Sequence, residues 1–169
     1  MENIFLKRSN IEESIREFTS KKLVLENLLK SKSYKYCDVI IQKNRKKYIG
    51  LGKSCGLYHF FYEDQNIKYS LYLGKGAFGK KGEWSLNKRL NHHFQEKQIN
   101  TLPGKLVNEK IAKDNKDAIN FLKNNNIYVQ VLEIYFKVNN HMDWKLIDEI
   151  IKEYESFCIG VLNPKFTDR

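Results

Sequence analysis

Apolar positions recur along this chain with two different periods, and the changes between them mark its elements. Ile11, Ile15, Phe18, Leu25, Leu28 and Leu29 fall at near-helical spacing behind a capping-box pattern of Ser9 and Glu12, which predicts a helix over 9–30. The stretch YCDVIIQ (36–42) reads as a short strand, and the basic KNRKKYIG (43–50) after it as a turn-like connection. From 56 onward the pattern runs strand, short loop, strand, helix (84–96), loop (TLPG), helix (105–124), strand (127–136) and a last helix (142–162). Pro103 falls in the loop and Pro164 just beyond the last helix, where helices commonly stop. No repeat or low-complexity linker breaks the order. The expected fold class is α/β (α+β): a small antiparallel or mixed three-stranded sheet flanked by helices over 55–169, with a 1–54 extension of helix plus possible strand.

The two strands after Cys55 carry tyrosines whose relation depends on the turn between them. If Asp64-Gln65-Asn66 is a three-residue loop, Glu63 pairs with Ile67 and Tyr58 sits across from Tyr72. Asn66 can take the left-handed conformation that such a loop requires. A bulge would shift this register by one. Aromatic residues also favour cross-strand pairs for packing alone, so the hairpin by itself leaves a core pair and a pair of functional phenols both open.

Two glycine motifs near the hairpin suggest nucleotide binding, and neither has the required context. Gly74-Lys-Gly76-Ala-Phe-Gly79 matches G-x-G-x-x-G, but a dinucleotide turn opens a helix directly and is followed soon by a parallel strand. Here Lys80-Lys81-Gly82 intervene and no strand is expected before 127. Gly50-Leu-Gly52-Lys53-Ser54 resembles the end of a P-loop, yet Lys47 stands where its first glycine belongs. The literal Tyr48-Ile49-Gly50 precedes the Gly-Leu-Tyr segment instead of following it.

Candidate chemistry lies on the flanking helices. Leu86, Leu90 and Phe94 form a stripe that should pack on the sheet, and Arg89 and His93, four residues apart, flank it with both heads directed to one place. A fixed Arg suits bidentate phosphate contact and a His can orient water or move a proton, although a solvated basic face has the same pattern. His92 lies further round from the stripe and is the less favoured partner. In the last helix Ile147, Ile150, Ile151, Tyr154, Phe157, Cys158 and Leu162 share one face, and Glu155 sits about 40° from Ile151 at its edge. Glu149 and Glu153 fall opposite as ordinary solvent charges. A carboxylate at the margin of a core suits Mg²⁺, which takes one or two protein oxygens and keeps several waters. The four histidines lack paired metal spacing, which argues against a histidine-built site.

Charge then narrows the partner. The 169 residues carry 30 Lys and Arg against 20 Asp and Glu, a net +10 that points to a polyanion, with a lysine-rich surface kept for solubility as the alternative. Hydrophobic residues at 41% are enough to bury a core. Cys37, Cys55 and Cys158 are an odd set without C-x-x-C spacing, which fits neither a disulfide framework nor a thiolate zinc site and suggests a reducing cytosol. No long apolar run or signal segment occurs, so a cytoplasmic protein away from membranes is expected.

Taken in order, Gly56-Leu57-Tyr58, Tyr72-Leu73-Gly74-Lys75, Arg89-x3-His93 and the segment from Glu155 through Pro164 to Thr167 resemble the GIY-YIG nuclease family over roughly 55–167. The resemblance implies that Tyr58, Tyr72, Arg89, His93 and Glu155 occupy catalytic positions, that Glu155 holds a single Mg²⁺, and that Lys75 contacts substrate. It implies a DNA endonuclease acting on double-stranded DNA, and the short chain most resembles the type II restriction members. A homodimer on a palindromic target and a cognate DNA methyltransferase acting on the same site would follow. Residues 1–54 and 97–126 would supply DNA or dimer contacts. The alternatives are a structure-selective or homing nuclease, or a non-catalytic nucleic-acid-binding protein on this scaffold. Both the Tyr72–Arg89 and Arg89–Glu155 intervals are longer than the family pattern, and the family's late asparagine aligns with Thr167, with Asn163 off register.

Overall fold

The computed structural model describes residues 11–78, 85–136 and 141–167. Among them the chain forms seven helices and four strands, an α+β arrangement. In chain order these are α1 (Ile11–Lys30), β1 (Ser33–Lys35), α2 (Tyr36–Val39), α3 (Gln42–Tyr48), β2 (Cys55–Asp64) and β3 (Ile67–Gly76). There follow α4 (Leu86–His92), α5 (Leu102–Asn108), α6 (Asn115–Asn124), β4 (Ile127–Ile134) and α7 (His141–Leu162). All strand pairs are antiparallel, in the order β1-β4-β2-β3. The sheet therefore has four strands where three were expected. Its extra member is β1, in which Ser33, Tyr34 and Lys35 pair with Gln130, Val129 and Tyr128.

Alternation along the strands divides the interior into two cores. Tyr58 and Phe60 face one side with Tyr36, Leu86, Leu90, Leu102, Leu122 and Val129. Leu57 and Leu73 face the other with Leu25, Leu28, Ile147, Ile151 and Cys158. The sheet thus lies between α2, α4, α5 and α6 on one face and α1 and α7 on the other. The predicted stripes on α4 and α7 are buried in this way, while Ile15 and Phe18 of α1 stay largely exposed.

The hairpin departs from the expected register in two places, and the two one-residue shifts add to two, which keeps each side chain on its expected face. Its turn holds two residues, Gln65 and Asn66, both at positive φ, and Asp64 pairs with Ile67. A two-residue turn of this kind matches the twist of the strands. Continued unbroken, that register would pair Tyr72 with His59 and turn it to the face away from Tyr58. A bulge restores the parity: Phe61 pairs with Ser70 but Phe60 with Tyr72, leaving Leu71 as the extra residue. Tyr58 consequently faces Gly74, not Tyr72, and the two phenol rings stack on the diagonal with centroids 6.3 Å apart. Beside the bulge, the N–H groups of Lys165 and Phe166 donate to the Ser70 and Leu71 carbonyls, and the Phe166 ring enters the first core.

Other expectations are corrected by tertiary contacts. The segment 36–42 is not a strand. Its first residues form α2, with the fully buried Tyr36 donating its hydroxyl to the His93 carbonyl at 2.8 Å and packing on Phe60 and Phe94. The basic connection after it is helix α3. Arg45 fixes it by donating to the Val39 and Ile40 carbonyls and to Asn91 Oδ1 of α4, with its guanidinium over the Phe94 ring. TLPG is no loop, because Thr101 caps α5 by accepting from the Gly104 N–H and Pro103 sits in the first turn. The single helix expected over 105–124 is accordingly two, with Asp114 capping α6. Ser9, Gly79, the 80–82 spacer and Trp84 lie outside the described residues. No described helix is long and apolar enough to cross a membrane, and the three cysteines are unpaired thiols.

Candidate active site

β3 is the edge strand, and its far half borders a cavity of about 510 Å³ between α4 and α7. Tyr58, Tyr72, Lys75, Arg89, His93 and Glu155 all line this cavity. Every site residue singled out in the sequence is therefore brought to one place. The route is topological. Tyr58 and Tyr72 face one side of the sheet, Lys75 the other, and an edge strand lets α7 reach around to the same space.

His93 is held in this wall through both ring nitrogens. It is buried at 1% exposure just past the last turn of α4, with its ring centroid 5.1 Å from that of Tyr58 and 4.9 Å from that of Tyr72. The backbone N–H of Leu102 donates to its Nδ1 at 2.9 Å. The neutral ring must then carry its proton on Nε2, which lies 3.1 Å from Tyr58 Oη and donates to it. Leu102 opens α5, where backbone donors have no intrahelical partner, so the TLPG segment orients the histidine with a donor it would otherwise leave unmet. Sequence spacing gave no sign of this role for residues 101–104. A hydrogen bond donated to the phenol oxygen favours negative charge there.

The carboxylates come from α7. Glu155 is half-buried in the cavity wall, and so is Asp148, which was not singled out in the sequence. Seven residues separate them, nearly two full helical turns, so both project from one side of α7. That spacing was available to find Asp148. Lys75, expected to contact substrate, lines the cavity and places its Nζ 3.0 Å from Asp148 Oδ1. Oxygen donors of this kind suit Mg²⁺ held by one carboxylate with most of its waters retained. Among the described residues no group of three His, Cys, Asp or Glu side chains is placed to hold a metal ion.

Arg89 and the half-buried His92 also line the cavity, so the less favoured histidine shares the site. Burial holds His92 below its usual range, and the neighbouring Arg89 and Lys88 charges push in the same direction. Thr167 lies in an adjoining cavity that shares Glu155. Asn163 follows α7 at φ 44, a left-handed position that asparagine adopts readily, with its backbone N–H donating to the Ile159 carbonyl.

The glycines of the G-x-G-x-x-G stretch have a different role from phosphate binding. A Cβ on Gly74 would lie 2.6 Å from Cζ and Oη of Tyr58, whose ring folds across it. One on Gly76 would lie 2.3 Å from the Leu86 Cα, where α4 begins. Gly76→Ala is expected to cost roughly 2–3 kcal/mol because backbone must move, the upper range for overpacking, whereas Gly74→Ala meets the end of a side chain and costs less. Urea unfolding of the two variants checks the order. Equal losses would contradict it.

No family model, curated protein or solved structure matches this chain.

Proposed function

We propose that this protein is an Mg²⁺-dependent DNA endonuclease, a phosphodiester hydrolase of the GIY-YIG kind. The supporting observation is convergence: six side chains chosen by residue type and order, from β2, β3, α7 and the α4 region, line one cavity. A basic binding module would not need phenols, a guanidinium and a half-buried carboxylate in the same wall.

Hydrolysis needs a proton acceptor for water, positive charge for the phosphorane-like transition state and stabilisation of the leaving oxygen. Tyr58 acts as the phenolate, steadied by the His93 Nε2–H, and takes the proton of the attacking water to become the neutral phenol. Arg89 faces the non-bridging phosphate oxygens, and Tyr72 orients water or phosphate. Lys75, neutralised by Asp148, acts by placing that carboxylate more than by a free charge. Glu155 would hold Mg²⁺, which when bound supplies Lewis-acid stabilisation of the departing 3′ oxygen. The finer reading is a sequence-specific type II restriction enzyme acting as a homodimer on double-stranded DNA, with a cognate methyltransferase as its partner.

Plasmid DNA incubated with the protein and Mg²⁺ should give discrete, reproducible fragments. Glu155→Gln should lower that cleavage at least roughly 100-fold, the scale for removing one electrostatic contact. Absence of cutting by the unaltered protein would refute the hydrolase, and cutting confined to branched DNA would replace restriction by a structure-selective role.

A further inference from the structure

We propose that α3, the 49–53 loop and α4 form a basic ridge that seats the sugar–phosphate backbone of duplex DNA beside the helix that carries Arg89 into the cavity. The surface rests on the nuclease reading and adds to it the place where substrate enters.

Charge in this protein is polarised. Residues 39–62 and 84–95 contain seven Lys and Arg and no Asp or Glu, so they hold seven of the net ten positive charges. Within α3, Lys43, Lys46 and Lys47 stand at i, i+3 and i+4 and are all exposed. Arg45 projects from the opposite side and is fully engaged by Val39, Ile40 and Asn91, which fixes the lysine stripe outward. Asn91 in turn bonds Asn87 at 2.9 Å, so α3 is bolted to the helix that carries Arg89 into the cavity. Three like charges on adjacent turns oppose helix formation, and a polyanion laid along them relieves that repulsion. Ion pairs among the described residues lie elsewhere, on Lys21, Lys22 and Lys75, and none involves the ridge. A row of exposed lysines without ion-pair partners, on a helix bonded to the one that carries Arg89, is the footprint of backbone contact, which positions a duplex without reading its sequence.

The test measures binding of a fluorescent duplex by anisotropy across a salt series. Replacing Lys43, Lys46 and Lys47 together by Gln should reduce the slope of log affinity against log salt by about 3, equally for unrelated sequences. A matched triple on α6 and α7 (Lys116→Gln, Lys123→Gln, Lys145→Gln) should change it by less than about 1 by the same rule. Far-UV circular dichroism confirms the fold, and single replacements at each lysine, each worth about one unit of slope, cover a triple variant that fails to fold. Equal effects of the two triples would overturn the ridge while leaving the nuclease reading intact, as would unchanged salt dependence in a variant that still cuts plasmid. Failure of the unaltered protein to bind any duplex at low salt would remove both. Tighter binding of duplex RNA would overturn the assignment to DNA.

Discussion

Tyr58→Phe is expected to lower DNA cleavage roughly 10²–10⁴-fold, the range for losing a positioned proton acceptor, with duplex affinity unchanged. The substitution is selective because the ring stays. It keeps its place at 3% exposure, stacked with Tyr72 and edge-on to His93 and Phe60. Only Oη is lost, and with it the acceptor for His93 Nε2–H. That unmet donor should cost about 1–3 kcal/mol, visible as a modest fall in melting temperature. Single-turnover cleavage and anisotropy on the same preparation separate the two effects. Cleavage within tenfold of the unaltered protein would remove Tyr58 from the base role.

The second large effect concerns acid stability and lies on the other face of the sheet. His59 is 3% exposed, bonded through Nε2 to Ser70 Oγ at 2.8 Å, with Nδ1 lacking a hydrogen-bond partner. Burial pushes its pKa down to about 4; a contact with Gln130 opposes the shift and the Lys68 charge adds to it. Gln130 is itself anchored, its amide N–H groups donating to the Leu29 and Ser31 carbonyls. The unfolded chain takes up this proton below about pH 6.5, the folded chain only near 4. Stability from a neutral His59 is therefore complete above about 6.5 and is lost as pH falls toward 4, by about 3 kcal/mol. Urea unfolding at pH 7, 5.5 and 4 should show the decline, and His59→Phe should flatten it. Parallel curves for the two proteins would exclude His59 as the cause.

Local pattern revealed most of the elements because their apolar stripes are long. The α7 face and the Leu86, Leu90, Phe94 stripe follow from spacing alone. Segment 36–42 misled for a physical reason: its β-branched residues favour a strand, but Tyr36 is held by His93, 57 residues away. A basic run looked like a turn because the anchor of α3 is a guanidinium bonded to Asn91, a contact no local window contains. The candidate site was legible through residue type and order. What was not legible is what holds it: the Leu102 N–H on His93, Asp148 on Lys75 and the absence of side chains under the Tyr58 ring. Each is a long-range or backbone contact with no local signature.

The Leu71 bulge gives β3 one residue more than regular pairing with β2 needs. Substitutions around the hairpin should grade its properties, since each alters one contact and leaves the rest in place. Removing Leu71 acts differently, because the bulge absorbs the loss. The pairs Phe61–Ser70 and Phe60–Tyr72 would become consecutive, and the second phenol and the lysine would keep their faces. Drift by point changes is thus open to this segment, and so is loss of the one codon that encodes the bulged residue.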